Sequence, residues 1–206
     1  MRRLIYVFST LLALTVFLGI ENANAGEGQV TVGAQAGEVG LGGDVGNTYG
    51  SALGVGAFFS YAASDFLEFE LGWLSSKHSG NGLNLAQNAY NLDIIYDVDQ
   101  FDIFVPYIKG GAEFVTHQQD IVNVSPAGIT STNLTGFGLN VGLGARVDLG
   151  KNFMTALDFD FHNIFNTTVT PIGGSGSINA IQSYFTVLLR FGFAFGGGGG
   201  SWLNRK

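Results

Sequence analysis

The sequence predicts an all-β protein: an eight-stranded antiparallel transmembrane β-barrel in up-and-down meander order. Three observations predict it. Eight segments alternate apolar and polar side chains with period two, the pattern of strands whose two faces meet different surroundings. Charged residues are only 12% of the chain, about half of the roughly 25% usual in soluble domains, while 46% are hydrophobic. Past the N-terminus no unbroken apolar run reaches the ~20 residues of a helical span, and a closed barrel is the other structure that satisfies every backbone group in lipid.

The chain opens on a leader. Arg2 and Arg3 precede an apolar stretch from Leu4 to Ile20, and Ala23-Asn24-Ala25 forms a small-residue cleavage site, so residues 1–25 read as an export signal and residues 26–195 as the barrel. Without the leader the chain keeps seven basic and fifteen acidic residues, a net charge of −8. That balance excludes a basic nucleic-acid footprint. The absence of cysteine excludes a disulfide framework and a thiolate metal site.

The strands follow in order. Strand one spans Gln29 to Gly37, with Val30, Val32, Ala34 and Ala36 on one face, and a Gly-rich connection from Val39 to Thr48 follows. Strand two, Gly50 to Ala62, sets Leu53, Val55, Ala57, Phe59 and Tyr61 against small residues, and a short turn, 63–65, leads to strand three, Phe66 to Ser75. A polar connection, 76–84, precedes strand four, Leu85 to Val98, where Tyr90, Leu92, Ile94 and Tyr96 oppose Asn91, Asp93 and Asp97. After the turn Asp99-Gln100 comes strand five, Phe101 to Thr116, whose first residues Phe101, Ile103 and Val105 fall on the inner face. A long polar loop from His117 to about Thr132 leads to strand six, Leu134 to Leu149. The turn 150–152 leads to strand seven, Phe153 to Phe165, and a Thr-, Gly- and Ser-rich loop, 166–179, to strand eight, Ala180 to Phe195. The closing strand carries Phe185, Val187, Leu189, Phe191, Phe193 and Phe195 on one face and has to pair with strand one. Residues 196–206 form a Gly-rich tail that reads as flexible.

A soluble lipocalin-like barrel would also alternate, with its greasy face inward. Large aromatics occupy the greasy face of nearly every strand, and an eight-stranded interior is only just wide enough for side chains. The opposite face is rich in Gly and Ala and carries isolated charges with almost no Lys, unlike a solvated exterior. The greasy face is therefore assigned to lipid.

The segment Phe104-Val-Pro-Tyr-Ile-Lys-Gly-Gly-Ala-Glu-Phe114 resembles the Pro-Tyr-x-Gly-x-Gly strand of small outer-membrane barrels of the outer-membrane protein A, X and W types and the opacity-like surface antigens. Leader, eight strands and terminal Phe strand fit the same group. Lys109 stands where the family often has Gly, and this chain runs on past Phe195. The resemblance implies a monomer in the outer membrane of a Gram-negative bacterium, with outer-membrane lipid and the barrel-assembly machinery as partners. Host or envelope partners would meet the loops at 39–49, 76–84, 117–132 and 166–179.

On such a barrel Glu68, Glu70, Asp93, Lys109, Glu113, Arg146, Asp158, Asp160 and Arg190 point inward. Buried charges require partners, so these form either a salt-bridge plug or a polar conduit whose acidic excess favours cations. Arg190 is expected to neutralise Asp158 or Glu70. Catalysis is not expected: His162 lies near Asp158 and Asp160 but lacks the Ser two residues on that lipid A deacylase-like barrels show, while His78 and His117 read as loop or rim residues. Three same-strand candidates make a weak metal signal, and no cofactor or metal is expected. The expected role is structural or surface-interactive, in the manner of an adhesin or antigen. The alternative is a small pore or a carrier of small or hydrophobic solutes.

Overall fold

The computed structural model describes residues 27–98, 104–124, 127–149, 152–170 and 181–196. The leader, the tail beyond Gly196, and Phe101 and Ile103 lie outside them. Eight strands form one closed barrel in sequence order: β1 (Gln29–Leu41), β2 (Ala52–Ala62), β3 (Leu67–Gly80), β4 (Leu83–Asp97), β5 (Phe104–Val124), β6 (Ala127–Asp148), β7 (Phe153–Thr170) and β8 (Ser183–Gly196). All neighbours are antiparallel, and β8 pairs with β1 from Gln29↔Gly196 to Leu41↔Tyr184. Closure leaves no strand edge within the barrel wall, which is what lipid demands of a sheet.

The alternation maps onto outside and inside. Leu53, Phe59, Leu71, Leu92, Ile108, Val141, Phe159 and Phe191 form part of an exposed apolar belt, and Leu53 reaches 71% exposure. In a water-soluble protein such a belt would be a large aggregation hazard; in a bilayer it is the solvated surface. At the short-turn end its aromatics also pack edge to face, Phe66 on Tyr96 at 5.6 Å and Phe153 on Phe193 at 5.1 Å.

Above the belt the structure departs from the sequence reading: β1 runs on to Leu41 and β7 to Thr170, into stretches read as loops, and three further differences shape the mouth. First, the connection after β1 contains a short helix, α1 (Gly43–Tyr49), with Val45 and Tyr49 buried. Secondly, β3 and β4 do not stop at Ser75 and Leu85. They meet in a two-residue turn, Asn81-Gly82, with φ of 53° and 78°. Positive φ at both positions is the primed turn that matches strand twist, and Asn-Gly is the dipeptide that adopts it most readily. Thirdly, the stretch read as a loop from 117 is a continued hairpin: β5 and β6 stay paired to Val124↔Ala127. A β-bulge near Thr135–Phe137 offsets β6 from β7. The strands outlast the belt because backbone pairing does not need an apolar outer face once the chain is in water.

Asp120 ties two of these hairpins together. Its carboxylate accepts hydrogen bonds from the Asn84 backbone N–H (3.1 Å), the Asn84 side-chain amide (3.1 Å) and the Ser131 hydroxyl (2.8 Å). The bond from Ser131 and those from Asn84 hold its pKa below the usual carboxylate value. A depressed carboxylate pKa stabilises the folded clasp above the ordinary value near 3.8, and that contribution is lost as pH falls through the depressed one. Asp120→Ala is expected to speed hydrogen exchange at Asn84 and along the upper β5–β6 ladder at neutral pH, with exchange in the belt unchanged.

Candidate functional site: the packed lumen and its capped mouth

The side chains turned inward fill the barrel in three tiers. At the short-turn end Phe58, Ile95, Tyr107, Met154 and Ala156 form a small apolar cluster. The middle holds the charges. The upper tier is apolar again, built from Val39, Leu41, Leu74, Leu85, Val115, Ile164, Leu188 and their neighbours, with Val45 and Tyr49 of α1 pressed into it from above. The sequence reading of a Gly- and Ala-lined interior therefore applies to the middle of the bore and not to its mouth.

All nine charged residues assigned inward from the sequence are buried, from Asp93 and Asp158 at 0% exposure to Glu68 at 8%. They do not form one uniform cluster. Nearest the turns, Arg146 bridges Glu68 (2.8 Å) and Asp97 (2.6 Å). In the centre Arg190 pairs with Glu70 and, at 3.0 Å, with Asp158, while its guanidinium lies 3.9 Å from the centre of the Phe58 ring. Lys109 joins Asp158 at 2.7 Å and Asp160 at 3.0 Å, so Asp158 sits between two cations and also accepts from the Tyr107 hydroxyl. Higher up, Glu113 receives the Tyr184 hydroxyl at 2.6 Å and His162 Nδ1 at 2.9 Å. Asp93 has amide partners in place of a cation: Asn140 at 2.8 Å and Asn91.

The glycines of β6 make room for this network. A Cβ at Gly142 would overlap the Asp160 carboxylate, and one at Gly144 would overlap the Tyr107 ring. Asn91, Tyr107, Asn140, Tyr184 and Thr186 were not singled out in the sequence, although their parity already set them inward. The central bore holds a cavity of about 20 Å³ lined by Glu70, Asp93, Lys109, Glu113, Asn140 and Asp160 among others.

Thr186, His162 and Glu113 stand in the order nucleophile, base and orienting acid. The His162 Nε2 to Thr186 Oγ1 separation is 3.5 Å, however, and the Thr186 hydroxyl already donates to Asp160 at 3.2 Å. Thr186 is 1% exposed beside that 20 Å³ cavity, which leaves no place for an ester or amide to approach. The imidazole instead stacks on the Tyr184 ring at 4.0 Å. Among the described residues no group of three or more His, Cys, Asp or Glu side chains is arranged to hold a metal ion.

His78 and His117, read as rim residues from the sequence, are inside the capped mouth at 1% and 4% exposure. They occupy the inward parity of the strand extensions above the belt. His78 Nε2 lies 2.9 Å from the Ser76 hydroxyl, and its Nδ1 lies 3.0 Å from the Gly50 carbonyl just after α1.

A closed eight-stranded meander, an exterior apolar belt and a polar packed interior together define a small outer-membrane β-barrel. The chain belongs to the outer membrane protein β-barrel domain family, whose family model matches residues 10–191. The family places it in the bacterial outer membrane. Among solved structures it is similar to OprG from Pseudomonas aeruginosa (16% identity, TM-score 0.57, 86% of this chain and 100% of that one). It is similar too to Neisserial surface protein A (19%, 0.54, 82% and 99%) and to Ail, the attachment invasion locus protein of Yersinia pestis (12%, 0.51, 82% and 99%). At these identities the likeness is one of fold. No curated protein sequence matches the chain.

Proposed function

We propose that this protein is a closed-bore surface barrel: an outer-membrane anchor that works through its outward hairpins as an adhesin- or antigen-like element, with a lumen that serves as a structural plug. The observation that carries the reading is the packed bore. Three cations and their acids are paired across it, α1 caps it, and the central cavity is about 20 Å³, on the scale of one water molecule. A hydrated ion has no path through such a section. In barrels of this kind the short turns face the periplasm and the longer hairpins face outward. That orientation puts α1, Asn81-Gly82 and the β5–β6 hairpin on the cell surface, where a host or envelope partner would meet them. Export by the leader, insertion by the barrel-assembly machinery and a monomeric state belong to the same proposal.

One observation favours a second reading as a small cation-favouring pore. Among the described lumenal side chains seven acids (Glu68, Glu70, Asp93, Asp97, Glu113, Asp158, Asp160) face three bases (Lys109, Arg146, Arg190). Planar-bilayer recording on purified, refolded protein at neutral pH separates the two. The plug gives a quiet baseline; reproducible cation-selective steps would establish the pore and remove the plug.

A further inference from the structure

We propose that α1 is an acid-released lid on the outer mouth of the barrel, latched by the buried imidazoles His78 and His117. The lid is a seven-residue helix with five polar or glycine positions besides Val45 and Tyr49, too short to hold itself together in water. It stays folded because Val45 and Tyr49 enter the upper apolar tier. Its polar attachments are few. The Tyr49 hydroxyl donates to the Asp120 carbonyl at 3.0 Å, and Gly50, whose N–H closes the helix on the Gly46 carbonyl, offers its own carbonyl to His78 Nδ1 at 3.0 Å. Gly80 lies directly under the Thr48 carbonyl, and a Cβ there would overlap it, so α1 rests against the β3–β4 hairpin without slack.

Burial opposes charge on both imidazoles. In the neutral ring His78 Nδ1 carries the proton, because a carbonyl only accepts, and Nε2 accepts from the Ser76 hydroxyl. On protonation the Gly50 bond persists and the hydroxyl turns to accept, so it is loss of hydration in the capped mouth that opposes the charge on His78. His117 is buried with Nε2 unpartnered, so protonation places a second N–H donor where the described residues offer it no acceptor. Charge on His78 also disfavours charge on His117, after burial. The other titratable groups around them do not offset that charge. Tyr49 of α1 is neutral, and Asp44 is exposed at the far end of the helix. Lys77 on β3 is a cation that points outward. On β5 the carboxylate of Asp120 is taken by Asn84 and Ser131, and that of Glu113, four residues below His117, by Tyr184 and His162. The facing positions on β4 and β6, Gln87 and Leu134, are neutral.

Both histidines lie above the belt, whose last apolar side chain on β5 is Phe114. Burial, and for His117 also the neighbouring His78, lowers both from the ordinary imidazole value, His117 to about 4. A depressed histidine stabilises the closed lid fully above about 6.5 and less as pH falls toward 4. From His117 alone, linkage shifts the equilibrium toward the open lid by roughly 30-fold between pH 7.5 and pH 5. What opens is the apolar vestibule above the charge network; the network itself lies deeper in the bore.

The native chain has no cysteine, so single thiols report cleanly. The test compares maleimide labelling of Val45→Cys, buried under the lid, with Asn47→Cys on its exposed face, in refolded protein at pH 7.5 and pH 5. Taking the ratio of the two rates cancels the pH dependence of the thiol. The ratio is expected to rise about tenfold or more on acidification. Adding His78→Gln and His117→Gln is expected to remove that rise, whether the lid is then shut or open at both pH values. Hydrogen exchange of residues 43–50 in the unaltered chain, corrected for intrinsic rates, is expected to lose protection over the same interval. A flat labelling ratio, a rise that survives the double substitution, or unchanged α1 protection would each overturn the latch.

Discussion

Arg190→Ala is expected to destabilise the refolded barrel by about 3–5 kcal/mol, the cost of breaking a buried ion pair from one side. Arg190 is 1% exposed, bridges Glu70 and Asp158, and covers the Phe58 ring. Its removal leaves two carboxylates without their shared cation, and only Lys109 remains nearby. It also opens a space the width of a guanidinium beside Phe58. Urea unfolding in detergent micelles, followed by far-UV circular dichroism, gives the midpoint. Arg205→Ala, in the tail outside the described residues, is the matched control and is expected to leave the midpoint unmoved. Equal effects from the two substitutions would show that Arg190 is not a lumenal partner. A triple change to Arg190→Met, Glu70→Gln and Asp158→Asn is expected to recover much of the loss, since uncharged groups of similar size carry no desolvation cost of that order.

The second large effect is expected at the seam. Gly37 on β1 faces Leu188 on β8, and a Cβ there would run into the Val187 carbonyl oxygen and the Leu188 Cα. Both obstacles are backbone, so no rotamer change relieves the clash. Gly37→Val is expected to cost at least the 1–3 kcal/mol of an overpacked core site and to lower the yield of closed barrel. The fraction migrating as the folded, heat-modifiable band on an unboiled gel measures it. A normal folded fraction would mean that β1 and β8 meet in another register.

Facing and pairing were legible in the sequence because period two fixes which side chains share a face. Phe185 and Phe191 followed from parity alone, and the expectation that Arg190 meets Asp158 or Glu70 came from parity with height counted from the short turns. Strand ends were not legible by the same means. They were set where the outward face turned polar, as at Ser75 and Thr116, yet that change marks the edge of lipid and not the end of pairing. Asn81-Gly82 was the available signal for the longer hairpin. Extending the strands would have carried His78 and His117 inward, beside Leu74, Leu85 and Val115, which already held inward parity within the strands as read. The lid was beyond local reading: Gly42-Gly43-Asp44-Val45-Gly46 has poor helix propensity, and its helix exists because the barrel mouth accepts Val45 and Tyr49.

The unequal hairpins set a reach. β4 begins at Leu83, two residues beyond the Leu85↔Gln119 pair, whereas β5 climbs five residues past it to Val124. At about 3.4 Å per residue, five residues carry the ladder roughly 17 Å above that pair. A surface crowded with carbohydrate hides whatever is short, so height decides which segment an antibody, a phage or a receptor touches first. Among the described hairpins the upper rungs of β5 and β6 stand highest above the Leu85↔Gln119 pair, and sequence change there leaves the bore untouched.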